Sequence, residues 1–558
     1  MKKNQCRQME ESVTEHFFSS ISTMHEAACY LLQQDFGSGR QFDDITKNLY
    51  TMAAKMIQLL EEQLGKGYQD ISLTKILQSI QDTLSRVRIR KADESYRLSR
   101  LQFELIPLIE EAFQHARYWL WAVKDSERME QYREEVPSLC GNYYIDQSEE
   151  TGEYPFEAAF VVIGYNKLDY TKMCVESLLR NIPKGLRYEL ILVNHGSNDG
   201  TREYFESIQP TKQLDIAVNG AGFDIVRRII ESKFAFFISN DVIIGCNTIS
   251  NMLKCIQSND QIAFVVPSTP NTSNFQTIPA QYSSLEEMNE FTRQNNVSDP
   301  FRWEQRTRLC DPIAVWRSAA FLGCQGIFDN SYLGAATDLA FPDDRRSLLL
   351  RRRGYKLMLA KDAYCYHFGS VTIKEDVTKR EETEAEFYLK GRQAFYKNFG
   401  IDPWGAGFCF DAAFMQCVVE ESHTHTEILG INCGMGSNSL RIKEQFKEYW
   451  HNIDTVLYNT TDAPSFLLDL KGISDEAKLI SSAEELKQFL HGKTVQYVIW
   501  EAPFLTGVQF KTIFKVCQES LGPGGRLILK WSEQNKRFLL QECLAKKDIG
   551  NGWYLIQI

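Results

Sequence analysis

The chain has 558 residues, of which 43% are hydrophobic and 24% are charged, and this profile is typical of a folded protein rather than a disordered one. The 62 basic and 73 acidic residues give a formal net charge of −11, which argues against a nucleic-acid partner. The chain contains no apolar stretch long enough to span a membrane and no signal peptide at its start, and its 14 cysteines form no CxxC motif. These features predict a cytoplasmic, multidomain protein with reduced thiols.

Residues 1–135 have a helical pattern. Apolar side chains recur every three or four residues in three stripes, within 45–60, 76–87 and 98–123. Pro107 lies inside the third stripe, where it should kink or divide the helix. We predict an N-terminal helical bundle with these stripes as its core, followed by a linker at 136–157.

From 158 to 410, short apolar runs alternate with helical patterns, which predicts a doubly wound, mostly parallel α/β sheet. The expected strands cover 159–163, 188–193, 234–238 and 262–266. Polar residues follow the first three of these strands. Ligands of open α/β sheets bind at the carboxyl ends of the strands, so a binding site is expected there.

Several side chains in this part of the chain suit a reaction. Asp241 follows a buried strand, where its carboxylate would either bind a divalent cation or cap a turn. Asp343 and Asp344 precede a basic run, and one of them would either accept a proton from a hydroxyl group or form surface salt bridges. His367 follows an aromatic run as either a metal ligand or an ordinary buried histidine.

The order and spacing of four motifs resemble the family 2 glycosyltransferases of the GT-A fold, over residues 157–398. The motifs are Tyr165-Asn166, Asn194-His195-Gly196-Ser197-Asn198-Asp199-Gly200-Thr201, Ser239-Asn240-Asp241, and Asp343-Asp344 followed by Arg351-Arg352-Arg353-Gly354-Tyr355. Asn194 stands where the family usually has an acid, and only the last acid of the DxD element is kept, as Asp241. The residues that the resemblance places on the nucleotide sugar are Tyr165, Asn166, Asn194, Asp199, Asn240 and Asp241.

This resemblance implies an inverting transfer of a hexosyl or N-acetylhexosaminyl group from a nucleotide sugar, with a UDP-sugar as the default donor. Counting back from Gly354 places the catalytic base on Asp343, with Asp344 as the alternative. Asp241 and His367 are the implied ligands of a divalent metal, Mn²⁺ or Mg²⁺. The family pattern Gly-x-Phe-Asp matches residues 326–329.

The last part of the chain, 423–558, has a second α/β pattern with a glycine turn at 432–437 and another at 521–525. It resembles a degenerate class I S-adenosylmethionine-dependent methyltransferase. Gly430 and Asn432 replace an acid and a glycine of that family, and the acid that should hold a ribose is absent from 456–459. We expect a Rossmann-like domain that keeps the fold, with S-adenosylmethionine as a doubtful cofactor.

The main hypothesis is a glycosyltransferase whose acceptor is a hydroxyl group on a protein, flagellin for example by analogy, or on a soluble glycan. One alternative is a bifunctional enzyme that also methylates. A second alternative is a catalytically silent scaffold that binds sugars, which the altered Asn194 and Ser239 suggest and the retained Asp241 and Asp343 oppose.

Overall fold

The computed structural model describes most of the chain. The described residues are 2–33, 39–64, 72–89, 105–116, 154–215, 229–322, 341–352, 354–369, 388–393, 408–462, 464–480, 482–501, 509–530 and 546–557, with a few more at 91–101, 120–128, 226, 395 and 402–404. Most of the predicted linker and the motif at 326–329 lie outside them. The chain forms two compact units, the first from 1–172, 187–240 and 321–339, and the second from 173–186, 241–320 and 340–558.

The first unit begins with helices, as the apolar stripes predict. They are α1 (Lys2–Gln33), α2 (Arg40–Leu64), α3 (Ser72–Ile89) and α4 (Ile106–Ala116). The stripe residues Leu49, Ile80 and Leu105 are buried in one core. Pro107 is the second residue of α4, and Leu105 before it is also helical, so the predicted division of the third stripe at Pro107 stays a prediction. Among the described residues, no helix is long and apolar enough to cross a membrane.

The sheet of the first unit is entirely parallel. Its strands are β1 (Phe156–Gly164), β2 (Tyr188–Asn194), β3 (Lys212–Asp215) and β4 (Ser232–Ser239), in the order β3-β2-β1-β4. Helix α5 (Leu168–Asn181) follows β1, and α6 (Thr201–Ile208) follows β2. The strand order reverses beside β1, and this reversal places a ligand-binding crevice at the carboxyl ends of β1 and β4.

The second unit contains a mixed set of strands. They are β5 (Val242–Ile244), β6 (Ile262–Ser268), β7 (Trp303–Arg306), β8 (Ile313–Arg317) and β9 (Lys356–His367), with helices α7 (Thr248–Gln257), α8 (Leu285–Asn295), α9 (Ser318–Leu322) and α10 (Pro342–Arg352). Strand β9 runs parallel to β6 but antiparallel to β5 and β7. With 12 residues it is long enough to pair with all three.

The C-terminal region, 423–558, belongs to this second unit and has its own sheet. Its strands are β10 (Thr426–Ile431), β11 (Thr455–Thr461), β12 (Glu476–Leu479), β13 (Val495–Trp500), β14 (Leu521–Lys530), β15 (Lys546–Gly550) and β16 (Trp553–Gln557), and its helices are α11 (Ser437–Trp450), α12 (Pro464–Lys471), α13 (Ala483–Phe489) and α14 (Gln509–Ser520). The strand order is β12-β11-β10-β13-β14-β16-β15, in which β16 is antiparallel to β14 and to β15 and the other pairs are parallel. The expected second α/β pattern is therefore present.

Gly430 in β10 is required by its neighbour Asn459 in β11. A Cβ atom at position 430 would lie 2.0 Å from Asn459 Oδ1, an oxygen that accepts hydrogen bonds from Ser439 and Cys433. We therefore expect Gly430→Ala to lower the free energy of unfolding by about 1–3 kcal/mol, measured by urea denaturation. The double variant Gly430→Ala/Asn459→Ala should be more stable than the sum of the single changes predicts, because it relieves the overlap. Strict additivity would contradict this explanation of the glycine.

Candidate active site

Hydrogen bonds tie together the loops that follow β1, β2 and β4 in the first unit. The Asn166 N–H donates to Ser197 Oγ (2.8 Å), and the Asn198 N–H donates to Asn166 Oδ1 (3.0 Å). From the end of β4, Asn240 Nδ2 donates to the Asn166 carbonyl (3.2 Å) and to Thr171 Oγ1 (2.9 Å). Asn166 has a φ of 52°, a left-handed conformation that asparagine tolerates better than most residues. The predicted residues Asn166 and Asn240 therefore contact each other.

Asp199 links two of these loops. Its carboxylate accepts hydrogen bonds from the Leu168 N–H (2.9 Å) and from Thr201 Oγ1 (2.6 Å). Partial burial raises the pKa of Asp199, but these hydrogen bonds outweigh it and hold the pKa below its usual range. The carboxylate thus holds the loops that carry Tyr165 and Asn166 in place.

Asn194 pairs with an acid that sequence reasoning missed. Its Nδ2 donates to Asp215 Oδ1 (2.9 Å), and its Oδ1 accepts from the Ser197 N–H (3.0 Å). Asp215 ends β3, directly opposite Asn194 in the parallel register. Asn194 is 3% exposed, whereas the Asp215 side chain is 38% exposed. A carboxylate therefore stands beside the position where the family usually has one, supplied by the neighbouring strand.

Asp241 and His367 meet in the second unit. Asp241 lies in the turn between β4 and β5, and β5 pairs with the end of β9 so that Val242 is opposite His367. Asp241 Oδ2 is 3.4 Å from His367 Nε2, and the two side chains are only 11% and 10% exposed. Nδ1 of His367 has no hydrogen-bond partner among the described residues. A carboxylate oxygen and an imidazole nitrogen thus face each other in a mostly buried pair.

Asp343 and Asp344 lie in the first turn of α10, and each is paired with an arginine. Arg308 donates to Asp344 from Nε (2.5 Å) and Nη2 (3.3 Å), and the side chain of Asp344 is 2% exposed. Arg346 Nη2 donates to Asp343 Oδ1 (2.7 Å), and the side chain of Asp343 is 25% exposed. Burial raises the pKa of Asp344 to about 6, although Arg308 lowers it. Of these two carboxylates, only Asp343 is exposed enough to contact another molecule.

A third acid, Asp311, completes this cluster. Arg346 Nη2 also donates to Asp311 Oδ1 (3.0 Å), so one guanidinium group joins Asp311 and Asp343. Burial raises the pKa of Asp311 well above its usual range, although Arg346 lowers it. Burial opposes ionisation of Asp343, but Arg346 and Asp311 hold its pKa below the usual range. Sequence spacing gave no signal for Asp311, because it lies 32 residues before its partner.

In the C-terminal region, polar groups also lie at the carboxyl ends of strands. No acid lies within 456–459, as expected, but β11 extends to Thr461 and is followed by Asp462. Asn432 Nδ2 donates to Asp462 Oδ2 at 3.4 Å. Glu501 follows β13, and burial raises the pKa of its carboxyl to about 8. Among the described residues, no group of three or more His, Cys, Asp or Glu side chains is placed to hold a metal ion.

Comparison with known proteins places these residues in context. Residues 159–303 match the model of the family described as glycosyl transferase family 2. No protein among the curated sequences matches the chain.

Solved structures give distant likenesses. One is GalNAc-T7 with UDP, GalNAc and Mn²⁺, with 10% identity and a TM-score of 0.29 over 40% of this chain and 47% of that one. Another is the mannosyltransferase PcManGT from Pyrobaculum calidifontis in complex with GDP-Man and Mn²⁺, with 13% identity and a TM-score of 0.29 over 45% of this chain and 72% of that one. A third is TarS of S. aureus, with 15% identity and a TM-score of 0.29 over 44% of each chain. The chain thus spans less than half the length of the first and third of these.

The matched stretch contains the predicted residues that follow β1, β2 and β4, whereas His367, Asp343 and Asp344 lie beyond it. The resemblance drawn from the motifs is therefore confirmed over part of its predicted extent. The similarity to glycosyl transferase family 2 is thus limited to residues 159–303.

Proposed function

We propose that the protein is an inverting glycosyltransferase that moves a sugar from a nucleotide sugar, by default a UDP-sugar, to an acceptor hydroxyl group. The observation that carries the proposal is Asp343, an ionised and partly accessible carboxylate inside the arginine cluster at the start of α10. A general base must be unprotonated at the operating pH and within reach of the proton that it removes. The buried Asp344 is engaged by Arg308 from two nitrogens, which fits a structural role.

Asp343 would take the proton of the acceptor hydroxyl as its oxygen attacks the anomeric carbon. The bond between that carbon and the diphosphate oxygen breaks as the new glycosidic bond forms, and attack from the opposite face inverts the configuration. We propose a protein or soluble glycan as the acceptor class.

Asp241 and His367 would hold the divalent cation, Mn²⁺ or Mg²⁺. Their oxygen and nitrogen atoms face each other, and in the tautomer with its proton on Nδ1 the imidazole of His367 would offer the lone pair of Nε2 as a ligand. A bound cation supplies positive charge that stabilises the leaving diphosphate. With two protein ligands, the remaining ligands would come from diphosphate oxygens and water.

In the first unit, Tyr165 and Asn166 would contact the nucleotide base. We propose that the pair of Asn194 and Asp215 replaces the single acid that the family usually has at position 194. Asp215 Oδ1 accepts from Asn194 and Oδ2 lies 3.6 Å from Arg202 Nε, but the side chain is 38% exposed, and a carboxylate oxygen can accept a further hydrogen bond from a nucleotide base. Asp199 and Asn240 would hold the surrounding loops.

A nucleoside-binding C-terminal region is the second candidate function, because Asp462 supplies an acid beside Asn432 at the end of β11. Packing offers another explanation of the glycine turn. A Cβ atom on Gly436 would lie 2.7 Å from Ile473 and 2.8 Å from Leu470. We therefore favour a region that keeps the fold, and saturable S-adenosylmethionine binding in calorimetry would favour the bifunctional alternative.

The proposed function is tested by a screen of nucleotide sugars with and without Mn²⁺. We expect at least one donor to raise the melting temperature and to be hydrolysed slowly when no acceptor is present. Sugar labelling of protein extracts, read by glycoproteomics, would then identify the acceptor. If no donor binds or is hydrolysed in the presence of metal, the proposed function is wrong and the scaffold alternative gains support.

A further inference from the structure

The last turn of α10 is attached to the C-terminal region by a buried carboxylate. Arg351 Nη2 lies 3.2 Å from Asp469 Oδ1, and Arg352 Nη2 lies 3.1 Å from Asp469 Oδ2. Asp469 belongs to α12, and its side chain is fully buried, while Arg351 is 1% exposed. One carboxylate therefore holds both arginines at the end of the helix whose first turn carries Asp343.

Two further contacts of the C-terminal region meet the same turn. A Cβ atom on Gly472, just after α12, would lie 3.0 Å from the Arg351 carbonyl oxygen, so this glycine lets the two backbones approach closely. Met435, in the glycine turn before α11, places its Sδ atom 3.2 Å from Arg351 Nη2. The buried guanidinium group of Arg351 thus lies between a carboxylate and a thioether from two separate segments.

The physics of this arrangement favours a fixed helix. Arginines at a helix C-terminus interact favourably with the helix dipole, and a buried acid keeps their charges compensated. Helix α10 has 11 residues and is about 16 Å long at 1.5 Å per residue. The contacts that fix the last turn therefore limit how far the helix can slide along its axis, and they restrict the tilt that would displace its first turn.

We propose that the C-terminal region acts as a brace for α10 and that Asp469 is a positioning residue for the base Asp343. This inference rests on the proposed function, since it assigns Asp343 a catalytic role. With this role, the C-terminal region would contribute to catalysis without binding a cofactor.

A second ion-pair cluster supplies a matched control. Glu448 of α11 pairs with Arg441 (2.8 Å) and with Lys361 of β9, and Arg441 pairs with Glu304 of β7 (3.1 Å). This cluster joins the C-terminal region to strands of the same unit without touching α10. Glu448→Gln therefore weakens the contact between the C-terminal region and strands β7 and β9, whereas Asp469→Asn weakens its contact with α10.

The test uses the full chain with two readouts, amide hydrogen exchange and steady-state transfer. We expect Asp469→Asn to speed exchange across 343–352 and to lower kcat by about tenfold with donor KM within about twofold, because small misplacements of a reacting group are costly. Glu448→Gln should change neither exchange in α10 nor kcat. Arg352→Gln, at a side chain that is 26% exposed, should reproduce the Asp469→Asn effect in milder form and serves if that variant does not fold.

The outcomes separate this inference from the proposed function. Unchanged exchange in α10 of Asp469→Asn would overturn the brace whether or not the protein transfers sugar. Faster exchange with an unchanged kcat, or an equal loss of kcat in Glu448→Gln, would overturn the positioning role. The absence of turnover by the unmodified protein with every donor would overturn the proposed function, while the exchange data would still test the contact.

Discussion

Replacement of Asp343 by asparagine is expected to lower kcat for sugar transfer by about 10²- to 10⁴-fold, the range that a general base contributes. Asparagine keeps the size of the side chain but cannot accept the acceptor's proton. Binding of the nucleotide-sugar donor should persist, because the residues proposed to contact its nucleotide base lie at the ends of β1, β2 and β3, away from Asp343 in the sequence. The measurement is steady-state transfer with the donor that the nucleotide-sugar screen identifies, together with donor affinity by calorimetry.

The neighbouring acid provides the control. Asp344→Asn leaves Arg308 without its buried partner, so it should lower the free energy of unfolding by about 3–5 kcal/mol with a smaller effect on kcat of the folded protein. Loss of transfer in Asp344→Asn together with retained transfer in Asp343→Asn would assign the base to Asp344 instead. Because Arg346 and Asp311 lower the pKa of Asp343, this carboxylate should stay ionised as the pH falls from neutrality, so a loss of kcat/KM near pH 6 would point to Asp344, whose pKa burial raises to about 6.

Replacement of Asp241 by asparagine is expected to lower metal-dependent turnover by at least about 10²-fold, or about 2.7 kcal/mol of transition-state stabilisation. The amide keeps one oxygen but loses the negative charge that attracts a divalent cation. Chelation with EDTA should abolish transfer by the unmodified protein, and added Mn²⁺ should restore it. Titration of Mn²⁺ against activity, for the unmodified protein and the variant, gives the shift in metal affinity.

Two further variants test the second proposed metal ligand and provide a control. His367→Gln should weaken the apparent Mn²⁺ affinity as well, because the imidazole faces Asp241 at 3.4 Å. Asp260→Asn, at a side chain that is 95% exposed, removes a carboxylate of the same unit and should leave metal dependence unchanged. Turnover by Asp241→Asn that still requires Mn²⁺ at the same concentration would refute the assignment of the metal ligands.

Local pattern was sufficient for the strands and helices with strong periodicity. The predicted strands at 159–163, 188–193 and 234–238 lie inside β1, β2 and β4. Such runs are readable because burial of a strand in a parallel sheet demands a continuous apolar sequence. Strand β9 escaped prediction, because its apolar residues are interrupted by Lys361 and Asp362, whose partners lie far away in the chain.

By itself the sequence determined the glycosyltransferase motifs and the placement of Asp241 and Asp343 next to predicted secondary structure. Only the tertiary structure decided how these side chains are held. The pairing of Asn194 with Asp215, of Asp343 with Asp311 through Arg346, and of Arg351 with Asp469 depends on strand register and helix packing over long separations in the chain. A linear pattern records which groups are present, but burial and charge partners, which set the ionisation of each acid, exist only after the chain has folded.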